Sequence, residues 1–420
     1  MLRTFLSLAI AFTACGFVSA RDVDAALKEK ALALNSVTKK DALDKKLKEL
    51  IRDKSGTKKL LAAALEMQKE GAGKSPFKLN ATILLARSAL AVKEYSTAET
   101  FFEYTVSQAE KVKDEERLVD SYFGMIQLYF LTKDYGKVET WFMKYNDLGD
   151  TRAIQEYQFQ VLRIYILSLA KQGETDKALE KVEALTQSEG FGWIFLDIKA
   201  LVQYEAGKID DAIKTTKEQI EKIEDLDRLP AEARTEYKRE AQYKLSGYLV
   251  DANKVEEATK LLKKLIEEDP ENPTCYNDLG FIWADHDMNL EESEKLIRKA
   301  LELDTKRREK ELKKKEIDET EAKTQSAAYL DSLGWVLYKS KKYAEAKKYL
   351  LEATKDEEDG NHIEIWDHLA DVHMAMGETK QAIDVWVKAL KLDDNTKKDT
   401  ERRKKVTEKL KKAKDMINKK

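Results

Sequence analysis

The stretch "YLDSLGWVLYKSKKYAEAKKYLLEA", residues 329–353, contains two short amphipathic segments separated by a polar turn. Apolar residues recur three and four positions apart on both sides of residues 339–342, which is the spacing of an apolar helix face. Small residues stand at Gly334, Ala346 and Ala353, where they would let neighbouring helices approach closely. The stretch therefore predicts a pair of antiparallel helices joined by a tight turn.

The same pattern recurs along the chain, with one small or aliphatic anchor residue in the first helix of each unit. Successive anchors lie 40, 40, 34, 46, 34, 54 and 36 residues apart, which centres on 34 with insertions. A period near 34 residues with two helices per unit is the tetratricopeptide period. The eight anchors are Ala86, Ile126, Ile166, Ala200, Ser246, Gly280, Gly334 and Ala370.

On these residues the sequence resembles the tetratricopeptide-repeat (TPR) family, over about residues 77–394. The residues that carry the resemblance best are Leu333, Gly334, Tyr343, Ala346 and Ala353. It implies an all-α fold, a right-handed α-solenoid of antiparallel helix pairs (a TPR superhelix), with the first helices lining its concave side. One helix pair cannot bury both of its faces, so the units are expected to stack.

The composition agrees with an all-helical chain. Only 4 Pro and 16 Gly occur in 420 residues, so helix breakers are scarce. The 75 basic and 78 acidic residues give a net charge of −3, without the basic excess that supports nucleic-acid binding. We therefore expect no nucleic-acid partner.

The first twenty residues, "MLRTFLSLAIAFTACGFVSA", predict a secretory signal. An apolar run too short to span a bilayer is followed by Val18-Ser19-Ala20, and cleavage is expected after Ala20. We therefore expect an exported bacterial-type protein of the TPR family, located in the periplasm or outside the cell. The alternative is a lipid anchor on Cys15. Cys275 would be the single cysteine of the mature chain, so no internal disulfide is expected.

The predicted organisation has six parts. The segment 305–326 holds 8 basic and 6 acidic residues, and is interpreted as a solvated helical extension, with a partner-binding arm as the alternative. The C-terminal segment holds 12 basic and 4 acidic residues around one narrow apolar stripe, which suits a capping helix. The parts are a signal peptide (1–20), an N-terminal helical cap (21–76), about six TPR-like repeats with the first four degenerate (77–304), the charged helical insertion (305–326), two clear repeats (327–394) and the basic capping helix (395–420).

No residue set predicts catalysis, a cofactor or a metal. The "GAGKS" motif lacks the first glycine of a phosphate loop, since that position is Gln68. The acidic alternation at residues 285–292 lacks the glycine and the closing glutamate of a calcium loop. His362, His368 and His373 do not share one helix face at adjacent turns, as zinc ligands would. We expect a chain that is not an enzyme.

The concave face therefore carries the functional hypothesis. Acids and aromatics at the expected groove positions favour a protein partner, with a basic or amphipathic segment. The family's clamp for C-terminal carboxylates, built from Lys, Asn and Arg, is not matched here. A membrane contact is expected only through a lipidated Cys15 or the basic C-terminal helix. We interpret the chain as a non-catalytic scaffold of the cell envelope or secretory space. One alternative is a membrane-attached assembly factor of the lipoprotein type. The other is a docking subunit of an envelope enzyme complex. The candidate contacts are Tyr243, Asn277, Phe281, Asp331, Trp335, Tyr338, Asp367 and Asp371.

Overall fold

The fold is all helical in a computed structural model of the chain. The structure describes residues 20–418, except 72–73, 150, 189–190, 228, 315–316, 318, 357–358 and 393–395, and these described residues contain no strand. Residues 1–19 of the predicted signal, including Cys15, lie outside the described residues. The helices are α1 (Ala20–Ala33), α2 (Lys40–Arg52), α3 (Lys54–Glu70), α4 (Leu79–Ala91), α5 (Tyr95–Val112), α6 (Glu115–Leu131), α7 (Tyr135–Asn146), α8 (Arg152–Lys171), α9 (Thr175–Thr186), α10 (Gly192–Glu205), α11 (Ile209–Glu224), α12 (Ala231–Asp251), α13 (Val255–Glu268), α14 (Pro273–Asp285), α15 (Leu290–Lys313), α16 (Glu319–Lys323), α17 (Ala327–Lys339), α18 (Tyr343–Ala353), α19 (Ile363–Ala375), α20 (Thr379–Ala389) and α21 (Lys397–Asn418), with a 3₁₀ turn at Leu34–Ser36.

The described residues form two compact units that meet between Val161 and Leu162, so the boundary falls within α8. In the first unit, α1 packs on α3, α2 packs on α3 and α4, and the pairs α4/α5 and α6/α7 follow. Phe101 and Phe102 of α5 are fully buried at the centre of these contacts. Phe102 lies where α6 comes closest, because a Cβ added at Gly124 would stand 2.2 Å from its ring. Glycine at this position therefore permits the close approach of α5 and α6.

The second unit continues the same arrangement. Helix α9 packs on α10, and the pairs α10/α11, α12/α13, α14/α15, α17/α18 and α19/α20 each pack on the next. Helix α14 has a well-defined start, since Asn272 accepts a hydrogen bond from the Thr274 backbone N–H and Pro273 occupies the first turn. Together the pairs confirm the prediction of an all-α solenoid.

The anchor residues mark one structural position throughout. Each predicted anchor lies in the first helix of a pair and is buried. Twelve residues later, or thirteen in the α14/α15 pair, the second helix carries another fully buried residue: Ala98, Val138, Ala178, Ala212, Ala258, Ser293, Ala346 and Ala382. Where the residues at both positions are small, as in the α17/α18 pair, the two helices can approach closely.

A left-handed residue stands seven positions after every anchor. Its φ lies between 54° and 85°, and it ends the first helix. The residue after it donates its backbone N–H to the carbonyl five positions earlier in the chain, at 2.7–2.9 Å in all eight turns. These turns give the degenerate early pairs the same register as the late ones. The left-handed residues are Lys93, Lys133, Gly173, Gly207, Asn253, Asp287, Lys341 and Gly377.

The charged insertion is mainly a continuation of α15, which runs to Lys313. Asp304 is 1% exposed and accepts from Arg307 at 2.6 Å and from Arg308 at 2.9 Å. The short helix α16 follows and packs on α15. These ion pairs hold the start of the insertion to the end of the repeat before it.

Helix α21 covers the last repeat. Its apolar stripe, Val406, Leu410 and Ala413, is buried in a cluster with Trp366 and Trp386. It contacts both α19 and α20, as the first helix of a further repeat would. Its charged side chains then fall beside those of α19.

Candidate functional site

Three successive first helices of the second unit share a row of aromatic rings. Trp335 on α17 stacks on His368 of α19, with ring centroids 4.1 Å apart and planes at 15°. Trp335 also stacks on Tyr338, 5.1 Å away, and Phe281 of α14 lies 6.4 Å from the His368 ring. We use the name first-helix face for the surface on which side chains of α12, α14, α17 and α19 contact one another and α21.

Trp335 is held in one orientation although it is partly exposed. Its Nε1 donates to Asp285 Oδ1 at 3.2 Å, and Lys339 Nζ lies 5.3 Å from its ring centroid. Lys339 itself donates to the Asp285 carbonyl and to Asp287. An aromatic side chain fixed before binding loses little conformational freedom when a partner covers it. Trp335 therefore has the properties of a binding anchor.

His368 is the buried platform beneath Trp335. It is 1% exposed, and its Nδ1 lies 2.9 Å from Oδ1 of Asp331, which is 5% exposed. Burial opposes protonation of the imidazole, but the Asp331 carboxylate outweighs it, so the pKa of His368 is raised. Sequence reasoning considered His368 only as a metal ligand. The two rings belong to different repeats, and nothing in the sequence between them signals a ring stack.

The acids of α19 are ion-paired with the C-terminal helix. Lys409 Nζ lies 2.9 and 3.0 Å from the two Asp367 oxygens and 2.6 Å from Asp371. Arg402 pairs with Glu364 and, at 3.3 Å, with Asp367. Burial raises the pKa of Asp367, but Lys409 overcomes this effect and the net pKa is lowered. The chain's own basic helix thus occupies this part of the predicted acidic groove.

A different polar group lies between α12 and α14. Tyr243, 36% exposed, donates from its hydroxyl to Asp278 Oδ2 at 2.6 Å. Asn277 Nδ2 donates to the other Asp278 oxygen at 3.2 Å. Desolvation raises the pKa of Asp278, against the lowering effect of these two donors. Both partners are uncharged, which distinguishes Asp278 from the acids of α19.

The eight candidate contacts therefore divide into two sets. Asp331 and Asp367 are buried with internal partners in the free chain, and their contact with a partner stays a prediction. Asp371 is neutralised by Lys409, and Asn277 is 6% exposed. Four of the eight residues lie on the first-helix face with at least part of the side chain exposed. They are Tyr243, Phe281, Trp335 and Tyr338.

The first turn of α21 also reaches back to α12. Lys398 Nζ lies 2.7 Å from Asp251 Oδ1, and Asp251 Oδ2 accepts from Tyr204 at 2.6 Å. These residues line a cavity of about 450 Å³, with Gly207 and Thr396. Helix α21 therefore borders the first-helix face at two places, α19 and α12.

The candidates for metal and thiol chemistry among the described residues can be assessed from geometry and burial. No group of three or more His, Cys, Asp or Glu among them is placed to hold a metal ion. Cys275 is buried, and desolvation raises its thiol pKa to about 11, so the thiolate is disfavoured at neutral pH. The "GAGKS" motif falls partly on residues 72–73, outside the described residues. Within the described part of the chain, none of the helices combines the length and apolar character needed to cross a membrane.

The fold and this face define the class of protein: an α-solenoid of helix pairs with an aromatic and charged surface on its first helices. Residues 326–355 and 363–396 each match a family described as "Tetratricopeptide repeat". These two segments are therefore tetratricopeptide repeats, as the resemblance predicted, and protein–protein interaction is the general function of such repeats.

Solved structures of other repeat proteins are similar over about half of the chain. The C-terminal part of a TPR repeat-containing protein from Cytophaga hutchinsonii is 18% identical, covers 55% of this chain and 78% of its own, and has a TM-score of 0.35. A thermophilic TPR protein of Thermus thermophilus is 17% identical, covers 51% and 98%, and has a TM-score of 0.36. MamA from Desulfovibrio magneticus is 12% identical, covers 49% and 97%, and has a TM-score of 0.33. At such TM-scores these likenesses carry no functional argument. No curated protein matches the chain.

Proposed function

We propose that this protein is a non-catalytic scaffold that binds a segment of a partner protein on the first-helix face of its second unit. The observation that carries the proposal is the aromatic row formed by Phe281, His368, Trp335 and Tyr338. Aromatic residues dominate the energy of protein interfaces, because they bury a large area with few rotatable bonds.

The row is suited to binding because its exposed rings rest on a rigid base. The Trp335 indole is fixed by Asp285 on one side and by the buried His368 ring on the other. His368 in turn is fixed by Asp331. A partner segment that packs on Trp335 and Phe281 would displace water from apolar rings without reordering the helices beneath them.

The place of action that we propose is the cell envelope or the secretory space. The apolar run in residues 1–19 and the small residues before the predicted cut after Ala20 support export. Lipidation of Cys15 is the alternative, and would make the chain a membrane-attached assembly factor. The basic C-terminal helix is a weaker membrane anchor, because Arg402 and Lys409 are used in ion pairs within the chain. The intact mass of the exported protein separates the two forms, since lipidation adds acyl mass at Cys15.

The binding proposal is tested by crosslinking capture from extracts of the source cells. Wild-type protein is compared with Trp335→Ala and with Phe191→Ala, a control whose ring is 64% exposed outside the first-helix face. We expect Trp335→Ala to reduce the captured partner about tenfold or more, as loss of a hot-spot aromatic does. Equal capture by all three proteins would contradict the proposal, and so would a loss confined to the control.

A further inference from the structure

Most acids on the first helices of the second unit already have a cation from the chain itself. Asp197 pairs with Lys244 at 2.7 Å, and Glu205 pairs with Lys171 at 2.8 Å. Asp251 of α12 and the acids of α19 are paired with α21, through Lys398, Arg402 and Lys409. Ion pairs between successive first helices thus neutralise these acids.

Helix α14 departs from this rule. Asp278 accepts only from the uncharged Tyr243 and Asn277, and no cation of the described residues lies within ion-pair distance of it. Asp285 accepts from Trp335 Nε1, while the neighbouring Lys339 ammonium pairs with the Asp287 carboxylate. The carboxylates of Asp278 and Asp285 therefore lie on α14 without a cationic partner among the described residues.

An unused acceptor lies beside Asp278. Asn277 is 6% exposed, and its Oδ1 has no hydrogen-bond partner among the described residues. The amide orientation is set by Nδ2, which donates to Asp278, because the reverse orientation would bring two oxygens together. A buried acceptor without a donor is unfavourable in the free protein. A cationic donor at this position would satisfy both the amide oxygen and the carboxylate.

The chain itself contains one helix whose cations match two acids at a fixed spacing. Glu364 and Asp371 lie seven residues apart on α19, and they are bound by Arg402 and Lys409, also seven residues apart, on α21. Seven residues are about two turns, or about 10.5 Å along a helix. Asp278 and Asp285 repeat this spacing on α14, and Phe281 lies between them on the same side.

We propose that the α14 face, defined by Asp278, Phe281 and Asp285, binds a helix of a partner protein that carries two cationic side chains seven residues apart. This inference rests on the proposed function and names the chemistry of the segment that the first-helix face receives. The two cations pair with Asp278 and Asp285, and an apolar residue between them packs on Phe281 and Trp335. Charge then selects the partner, while the aromatic rings provide apolar contact area.

The test uses the chain's own basic helix as the probe. A fluorescently labelled peptide with the sequence of residues 396–418 is titrated into the full-length protein and followed by anisotropy. The double variant Asp278→Asn/Asp285→Asn is compared with wild type. The control Glu256→Gln/Glu267→Gln removes the same charge from exposed positions of the second helix α13. A second peptide replaces the residues equivalent to Arg402 and Lys409 by Gln.

We expect saturable binding to wild type, weakened about tenfold or more by the α14 variant and by less than about twofold by the control. The Gln-substituted peptide should bind correspondingly weakly, and added salt should weaken the wild-type complex. The proposal is overturned if the peptide does not bind, if both protein variants weaken it equally, or if the Gln-substituted peptide binds as well. If the α14 variant binds normally while Trp335→Ala loses the cellular partner, the proposed function stands and this inference fails.

Discussion

Gly334 offers the sharpest test of how the helix pairs are built. A Cβ added at this position would lie 2.5 Å from Leu350 Cγ and 2.9 Å from its Cδ2, well inside van der Waals contact. Both residues are buried in the core shared by α17, α18 and α19. Because Leu350 is enclosed on all sides, it cannot swing away, and α17 and α18 must move apart.

The matched control is Gly247, a glycine in α12 whose added Cβ would meet nothing within 4 Å. In a helix, Ala is favoured over Gly by about 0.8–1 kcal/mol, so Gly247→Ala should stabilise α12 by that amount. Gly334→Ala has the same gain, but overpacking costs about 1–3 kcal/mol. We expect the two variants to differ by about 1–3 kcal/mol, with Gly334→Ala the less stable.

The assay is hydrogen exchange followed by mass spectrometry, because a repeat array opens locally rather than as one cooperative unit. Peptides covering residues 327–353 should exchange faster in Gly334→Ala, and peptides covering α12 should exchange more slowly in Gly247→Ala. Equal protection changes at the two sites would refute the close approach of α17 and α18. The double variant Gly334→Ala/Leu350→Ala should exchange more slowly than Gly334→Ala, because the smaller side chain makes room for the added methyl group. If exchange in this double variant is as fast as in Gly334→Ala, the close approach is refuted as well.

Three further predictions concern charged groups of the second unit. Lys409→Gln leaves the buried Asp367 without its main cation, and should lower the local stability around α19 by about 2–3 kcal/mol in hydrogen exchange. Asp278→Asn should raise the melting temperature at pH 7. The pKa of Asp278 is raised in the folded state, so its ionised form destabilises the fold at any pH above the unfolded-state pKa of about 3.9. The gain in melting temperature should therefore vanish below that pH. Asp331 raises the pKa of His368 in the folded state. The pairing of protonated His368 with Asp331 therefore stabilises the fold fully below about pH 6.5, and this stabilisation is lost as the pH rises through the folded-state pKa. The difference in melting temperature between wild type and His368→Gln should therefore shrink as the pH rises above about 6.5, and a constant difference would contradict the pairing.

The fold could be predicted from the sequence because the repeat depends on local spacing. Gly334 and Ala346 lie in helices that touch within one pair, so the same short-range requirement recurs in every unit. The turn residue was recognisable where it is glycine, as at Gly173, Gly207 and Gly377. It was not recognisable at Lys93, because lysine is rarely selected for a left-handed backbone.

The surface was harder to predict because its state depends on helices distant in sequence. The acids near α19 suggested a groove open to a partner, but Asp367 is covered by Lys409, 42 residues further along the chain. The stack of Trp335 on His368 also joins two repeats, and no spacing rule relates the two positions. Phe281, Trp335 and Tyr338 were predicted to share a face, and the structure does bring them into one row with His368.

Site-specific photo-crosslinking tests the central claim, that the first-helix face binds the partner, most directly. A benzophenone-bearing residue replaces Phe281 in one protein and Leu351, a 44% exposed residue of the second helix α18, in another. After irradiation in the source cells, we predict a discrete partner adduct from position 281 and none from position 351. An adduct that forms from position 351 but not from position 281 would contradict the account.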